Sequence, residues 1–160
     1  MGLPTSTPET AAKTNLAAMV AAAVPGQAIM LGKGHFDAGG LLDLTGLKVM
    51  GKGWDETVIT NAPLLAYSPD YTQECFIKLN QAGSLLDNLC VSNVLSYFNN
   101  ASLVTVDASG GTVSRVKFVG CRGGYSSNGY VIGLYGPDSL VTHCIFENCE
   151  VQPNSSCGCI

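Results

Sequence analysis

Charge is scarce in this sequence. Only 12% of its 160 residues are Asp, Glu, Lys or Arg, half the ~25% usual for a soluble domain. That excludes a charged disordered tail and a heptad coiled coil, which need high net charge or long charged faces. Cations are the scarcer sign: eight Lys and Arg stand against twelve Asp and Glu, a net charge of −4. No basic footprint is left for a nucleic-acid backbone. Long apolar runs are missing too, and none approaches the ~18–20 residues of a membrane-spanning helix. The opening MGLPTSTPET lacks the cationic region that begins a secretory signal, and the apolar stretch Leu16 to Val24 follows a single Lys13. MGLPTS fits the myristoylation pattern at Gly2, but Pro4 and the helix cap behind it argue against acylation. The length suits one domain, which buries roughly 70% of the surface of its unfolded chain.

What the sequence has in excess is glycine, 19 residues, and cysteine, at 75, 90, 121, 144, 149, 157 and 159. Seven is an odd number, and dense cysteine usage points to oxidising surroundings. An oxidising setting without an evident export signal is a combination that any functional reading has to explain.

Residues 7 to 24 read as one helix. Thr7 is suited to the N-cap, Pro8 to the first helical position and Glu9 to the positive end of the dipole, and Pro25-Gly26 stops the run. Its alanine-rich interior is apolar on most faces and is expected to lie against an exposed core as a lid.

Beyond Gly26 the chain repeats. CFIKLNQAGSLLDNLCVSNV from Cys75, SLVTVDASGGTVSRVKFVGC from Ser102 and YVIGLYGPDSLVTHCIFENC from Tyr130 align at nearly equal intervals. The shared columns are Ile77/Val104/Ile132, Leu79/Val106/Leu134, Leu86/Val113/Val141, Leu89/Val116/Cys144 and Val91/Phe118/Phe146. Alternation with a period of two turns each column to one face. A unit this short cannot bury that face alone, whereas stacked neighbours make a continuous core. The expected fold is therefore all-β: a right-handed, single-stranded parallel β-helix of about four to five coils. Residues 1–25 form an N-terminal arm and capping helix, 26–151 the β-helix and 152–160 a cysteine-containing tail.

The opening coils carry Pro25-Gly26, Ile29-Met30-Leu31, Gly34-His35-Phe36, Leu47-Lys48-Val49-Met50-Gly51-Lys52-Gly53 and Thr57-Val58-Ile59. In this order they resemble the pectate-lyase-like β-helix superfamily over residues 9 to 151. The resemblance implies the fold more strongly than an activity, since the superfamily spans lyases, hydrolases, esterases and viral spike proteins. Its enzymes carry acids and bases on outward positions of adjacent coils, and paired acids in its hydrolases lie ~5–10 Å apart. Here Arg115, Lys117, His143 and Glu147 share an outward region, but no two acids stack, and Asp87 aligns with Ser114 and Thr142. No catalytic constellation is expected; those four residues are the candidates if the protein instead binds or cleaves polysaccharide.

The cysteines divide by column. His143, Cys144, Cys149, Cys157 and Cys159 include zinc-ligand types at a spacing that matches no common structural zinc site. No metal or cofactor is expected. Cys144 falls in an inward column. Cys121 and Cys149 share a column under Val94, one coil apart, and are expected to form an intrachain disulfide or to stack as thiols. Cys90, at an outward position, and Cys157 and Cys159, in the tail, are expected to link chains. Asn100-Ala101-Ser102 and Asn154-Ser155-Ser156 are sequons that matter only in a secreted eukaryotic protein.

The chain also resembles short bacteriophage β-helix structural proteins. That implies a non-enzymatic component of a virus particle, a capsid-decoration, linking or tail-associated module. Its partners would be capsid or tail subunits and copies of itself, a trimer favoured, with neither nucleic acid nor membrane. Val119 and Ile145 are the outward apolar residues suited to such an interface. A released particle meets an oxidising exterior without its subunits passing through an export signal, so this expectation joins the two halves of the cysteine problem.

Overall fold

β-Branched and aliphatic residues recur among polar ones in short runs, and these runs form strands of two to eight residues. The computed structural model describes residues 16–61, 75–95, 102–107, 110–123 and 130–150. They comprise helix α1 (Leu16–Ala22) and strands β1 (Ala28–Met30), β2 (Gly34–Asp37), β3 (Leu42–Asp43), β4 (Lys48–Met50), β5 (Thr57–Thr60) and β6 (Ile77–Leu79). These are followed by β7 (Leu85–Ser92), β8 (Val104–Val106), β9 (Thr112–Val119), β10 (Ile132–Leu134), β11 (Leu140–Thr142) and β12 (Ile145–Glu147). No helix among the described residues is long and apolar enough to cross a membrane.

The strands form two all-parallel sheets. The larger runs β1-β4-β7-β5-β2, with β9 beside β7 and both β11 and β12 on β9; the smaller runs β3-β6-β8-β10. The chain crosses repeatedly between them. The pairing follows the repeat read from the sequence: Ile77 pairs with Val104 and Val104 with Ile132, one repeat further along at each step. The same steps join Leu86, Val113 and Val141, and Val91, Phe118 and Phe146. Earlier steps are uneven. Ala28 pairs with Lys48 and Lys48 with Leu85. Met50 pairs with Asp87 but Val58 with Cys90, so five extra residues lie between β4 and β5.

Turn positions stack as well. Gly26, Gly46, Gly83, Gly110 and Asp138 all have positive φ, and each lies two residues before a strand of the register Ala28–Lys48–Leu85–Thr112–Leu140. Further left-handed columns are Asn88/Arg115/His143 (φ 57, 50 and 53°) and Asn93/Gly120/Asn148 (φ 53, 60 and 51°). Glycine and asparagine enter this region readily, whereas an Arg or His there carries strain that its surroundings must hold. The outward column containing Arg115 and His143 is thus a line of backbone bends rather than of ordinary strand positions.

The inward columns form one core. Ile77, Leu79, Leu86, Leu89, Val91, Val104, Val106, Val113, Val116 and Phe118 are all wholly buried. At the first edge, Leu16 and Val20 of α1 join that core, and the Ala17 amide donates to the Ala38 carbonyl at 2.8 Å beside edge strand β3. Of the segment expected to be helical, Leu16–Ala22 is a helix packed on the core and ends two residues short of Val24; residues 7–15 lie outside the described residues. The repeat over 130–150 is less well covered. Leu134 and Leu140 are 38% and 50% exposed, and Val141, Cys144, Phe146 and Cys149 are only partly buried.

Candidate functional site

Strands β7, β9 and β12 set their outward residues side by side: Cys90 next to Lys117 and Lys117 next to Ile145, Ser92 next to Val119 and Val119 next to Glu147. Lys117 Nζ reaches Glu147 Oε2 at 3.0 Å, and this hydrogen bond holds the ammonium proton more firmly than usual. Arg115 turns the other way. Its Nε donates to Asp87 Oδ1 at 2.9 Å while its Nη2 pairs with Oδ2, a bidentate clasp across repeats. The Arg115 carbonyl accepts from Trp54 Nε1 at 2.6 Å, so the loop between β4 and β5 is tied to the same bend. His143 stays local, its Nδ1 lying 2.7 Å from Thr142 Oγ1. Of the four candidate residues, Lys117 and Glu147 come together as an ion pair, and Arg115 and His143 are engaged elsewhere.

The Asp87–Arg115 and Arg122–Glu150 pairs were not anticipated from the alternation pattern. Their signal is opposite charge set one repeat apart along the chain, legible only once the repeat is known. Asp87 differs from the other acids in depth, its side chain being 8% exposed while that of Arg115 is 55% exposed. Removing a cation from a buried carboxylate leaves an uncompensated charge, whereas breaking an exposed pair costs little. Arg115→Met is accordingly expected to lower the thermal midpoint more than Lys117→Met or Arg122→Met, as read by circular dichroism. Equal effects would show that Asp87 gains nothing from its clasp.

All five cysteines among the described residues are free thiols. Of the two arrangements expected for Cys121 and Cys149, free thiols in register and not a disulfide are found. Parallel strands hold equivalent side chains ~4.8 Å apart and pointing the same way, while a disulfide draws its Cβ atoms to ~3.8 Å. Cys90 is a correction. It was expected to be available for an interchain bond, yet it is 6% exposed, closed in between its register neighbours Val58 and Lys117. Alternation gave its direction but not the cover that adjacent strands and a lysine stem provide. Cys144 faces inward as expected, packed against the core but only partly buried. Cys75 is buried. Cys157 and Cys159 lie outside the described residues. Among the described residues His143, Cys144 and Cys149 do not converge on a group able to hold a metal.

Burial pushes the Cys75, Cys90 and Cys144 thiols up, and Cys121 is raised first by the neighbouring Cys149 side chain and then by burial. A raised thiol contributes its stability in full below the unfolded value and loses it as pH rises beyond. Cys149 shifts the opposite way but is outnumbered. The thermal midpoint is therefore expected to fall as pH rises above about 8.5, where thiols of the unfolded chain ionise. A flat profile between pH 7 and 10 would contradict the burial of these groups.

Comparison with protein-family models, curated proteins and solved structures found no match to this chain.

Proposed function

We propose that the chain is a right-handed parallel β-helix serving as a non-enzymatic structural module of a virus particle. The particle is a bacteriophage, and the module a capsid-decoration, linking or tail-associated piece acting as a homo-oligomer, a trimer favoured. The observation that carries this reading is the use to which outward charge is put. Asp87, Glu147 and Glu150 each spend their carboxylate on a cation of a neighbouring repeat. A carboxylate clasped by Arg or Lys is a poor general acid or base, and it braces one repeat on the next. The right-handed β-helix is supported by two parallel sheets whose strands recur once per repeat, with left-handed turns in register. A crossover between parallel strands of one sheet is right-handed in ~98% of cases. Partners are protein surfaces: other virion subunits and copies of this chain.

With Cys90 buried, interchain disulfides fall to Cys157 and Cys159. The test is the mass of the intact species, with and without reductant, beside an assay for oligosaccharide cleavage. An oligomer whose chains separate on gels only after reduction supports the reading. A 16.6 kDa species under both conditions, or glycan cleavage lost in Lys117→Ala or His143→Ala, overturns it.

A further inference from the structure

The larger sheet has a line along which its ladder lapses. Between β7 and β9 the register steps from Asp87–Ser114 to Leu89–Val116, missing Asn88 and Arg115. Strands β4 and β5 pair with β7 on either side of Asn88, and β11 and β12 pair with β9 on either side of Arg115. A residue with left-handed φ, as Asn88 and Arg115 have, cannot keep the extended geometry of a ladder. Its carbonyl must find a donor elsewhere.

Residues 51–57, between β4 and β5, supply those donors. The Gly53 amide donates to Asn88 O at 2.9 Å, and Trp54 Nε1 donates to Arg115 O at 2.6 Å. Asn88 Nδ2 donates back to Gly51 O at 3.2 Å. In the opposite direction the hydroxyl of Thr57, a wholly buried residue, donates to Gly32 O at 2.8 Å while it accepts from the Lys52 amide at 2.9 Å. The Gly34 amide donates to Glu56 O at 2.7 Å. The segment therefore bonds to the corner between β1 and β2 before it and to both β7 and β9 after it. Because β4 and β9 pair with opposite edges of β7, Trp54 reaches across an intervening strand.

We propose that residues 51–57 are a strap that makes β4, β7 and β9 open as one cooperative unit. In a stack of repeats each member ordinarily contacts only its neighbours, so repeats can open one at a time. The bond from Trp54 to Arg115 breaks that rule. Separating β9 from β7 also pulls on a loop anchored to β7 and to the β1–β2 corner. The strap crosses the sheet where the ladder is interrupted, which is where neighbouring strands would otherwise part most readily.

The experiment is native-state amide exchange on the reduced full chain in rising, sub-denaturing urea, resolved strand by strand. Amides of β4, β7 and β9 are expected to exchange through one opening with a shared urea dependence. Trp54→Phe keeps an aromatic ring and deletes the donor. In this variant β9 should leave the group and exchange about fivefold faster than β4 and β7, the effect of one net hydrogen bond. Ile77→Val, a mild truncation in the smaller sheet, should speed exchange of all three strands together. A β9 that already opens separately in the unaltered chain overturns the proposal. So does a Trp54→Phe variant whose three strands stay together, or an Ile77→Val variant that splits them as Trp54→Phe does. None of these results bears on the virion reading, which is judged by oligomer mass.

Discussion

Replacing Phe118 by alanine is expected to destabilise the protein by about 3–5 kcal/mol, the range for emptying a buried phenylalanine site. Phe118 sits in β9, wholly buried, paired in register with Val91 on one side and Phe146 on the other. Its ring lies 5.2 Å from that of Phe146, nearly parallel at 8°, within the range where aromatic pairs add ~0.5–1.5 kcal/mol beyond burial. Collapse into the cavity is resisted on both sides, because neighbouring repeats are held by backbone ladders. A domain's whole stability is about 5–15 kcal/mol, so this one truncation consumes a large part of it. Phe146→Ala should cost clearly less, since Phe146 is only partly buried. Urea unfolding of the two variants checks both statements. A Phe118→Ala loss below ~1.5 kcal/mol, or the reverse ranking, would mean that the stacked register is not the one that folds.

Gly51→Ala is expected to lose roughly 1–3 kcal/mol through overpacking. At an ordinary backbone conformation the same change would stabilise by ~0.4–1 kcal/mol, by restricting the unfolded chain. Gly51 is not among the positive-φ glycines, so the sign depends on space. A Cβ there would lie 2.6 Å from the Asn88 carbonyl oxygen and 2.8 Å from the Cβ atoms of Leu89 and Thr57. None of these is the far end of a flexible side chain. The Gly51 amide also donates to Asp87 O at 2.9 Å, and the Gly53 amide to Asn88 O at 2.9 Å. The loop cannot retreat without losing these bonds. A neutral or stabilised Gly51→Ala variant in the same urea assay would show that the close approach relaxes freely.

Much of the fold was legible because it rests on local rules. Period-2 alternation told Ile77 and Leu79 from Lys78, and recurrence from one repeat to the next told which columns pair. The pairings Ile77–Val104–Ile132 and Val91–Phe118–Phe146 agree with that reading position by position. The alanine-rich segment read as a lid does place Leu16 and Val20 in the core. The site was far less legible. Arg115 read as an outward strand residue, yet it stands at a left-handed bend and reaches a buried acid. Cys90 read as outward and available, yet it is enclosed.

By itself, then, the sequence determined the period, the inward columns and the parallel stacking, because side-chain direction along a strand is set by the residue's own position. Only the tertiary structure decided which outward groups meet. Arg115 finds Asp87 on a diagonal between repeats, and Trp54 reaches the same bend through a five-residue insertion. The structure alone also distinguished the half-covered thiol of Cys149 from the sealed one of Cys121. Coverage depends on what lies on both sides of a strand, and that is a property of the stack.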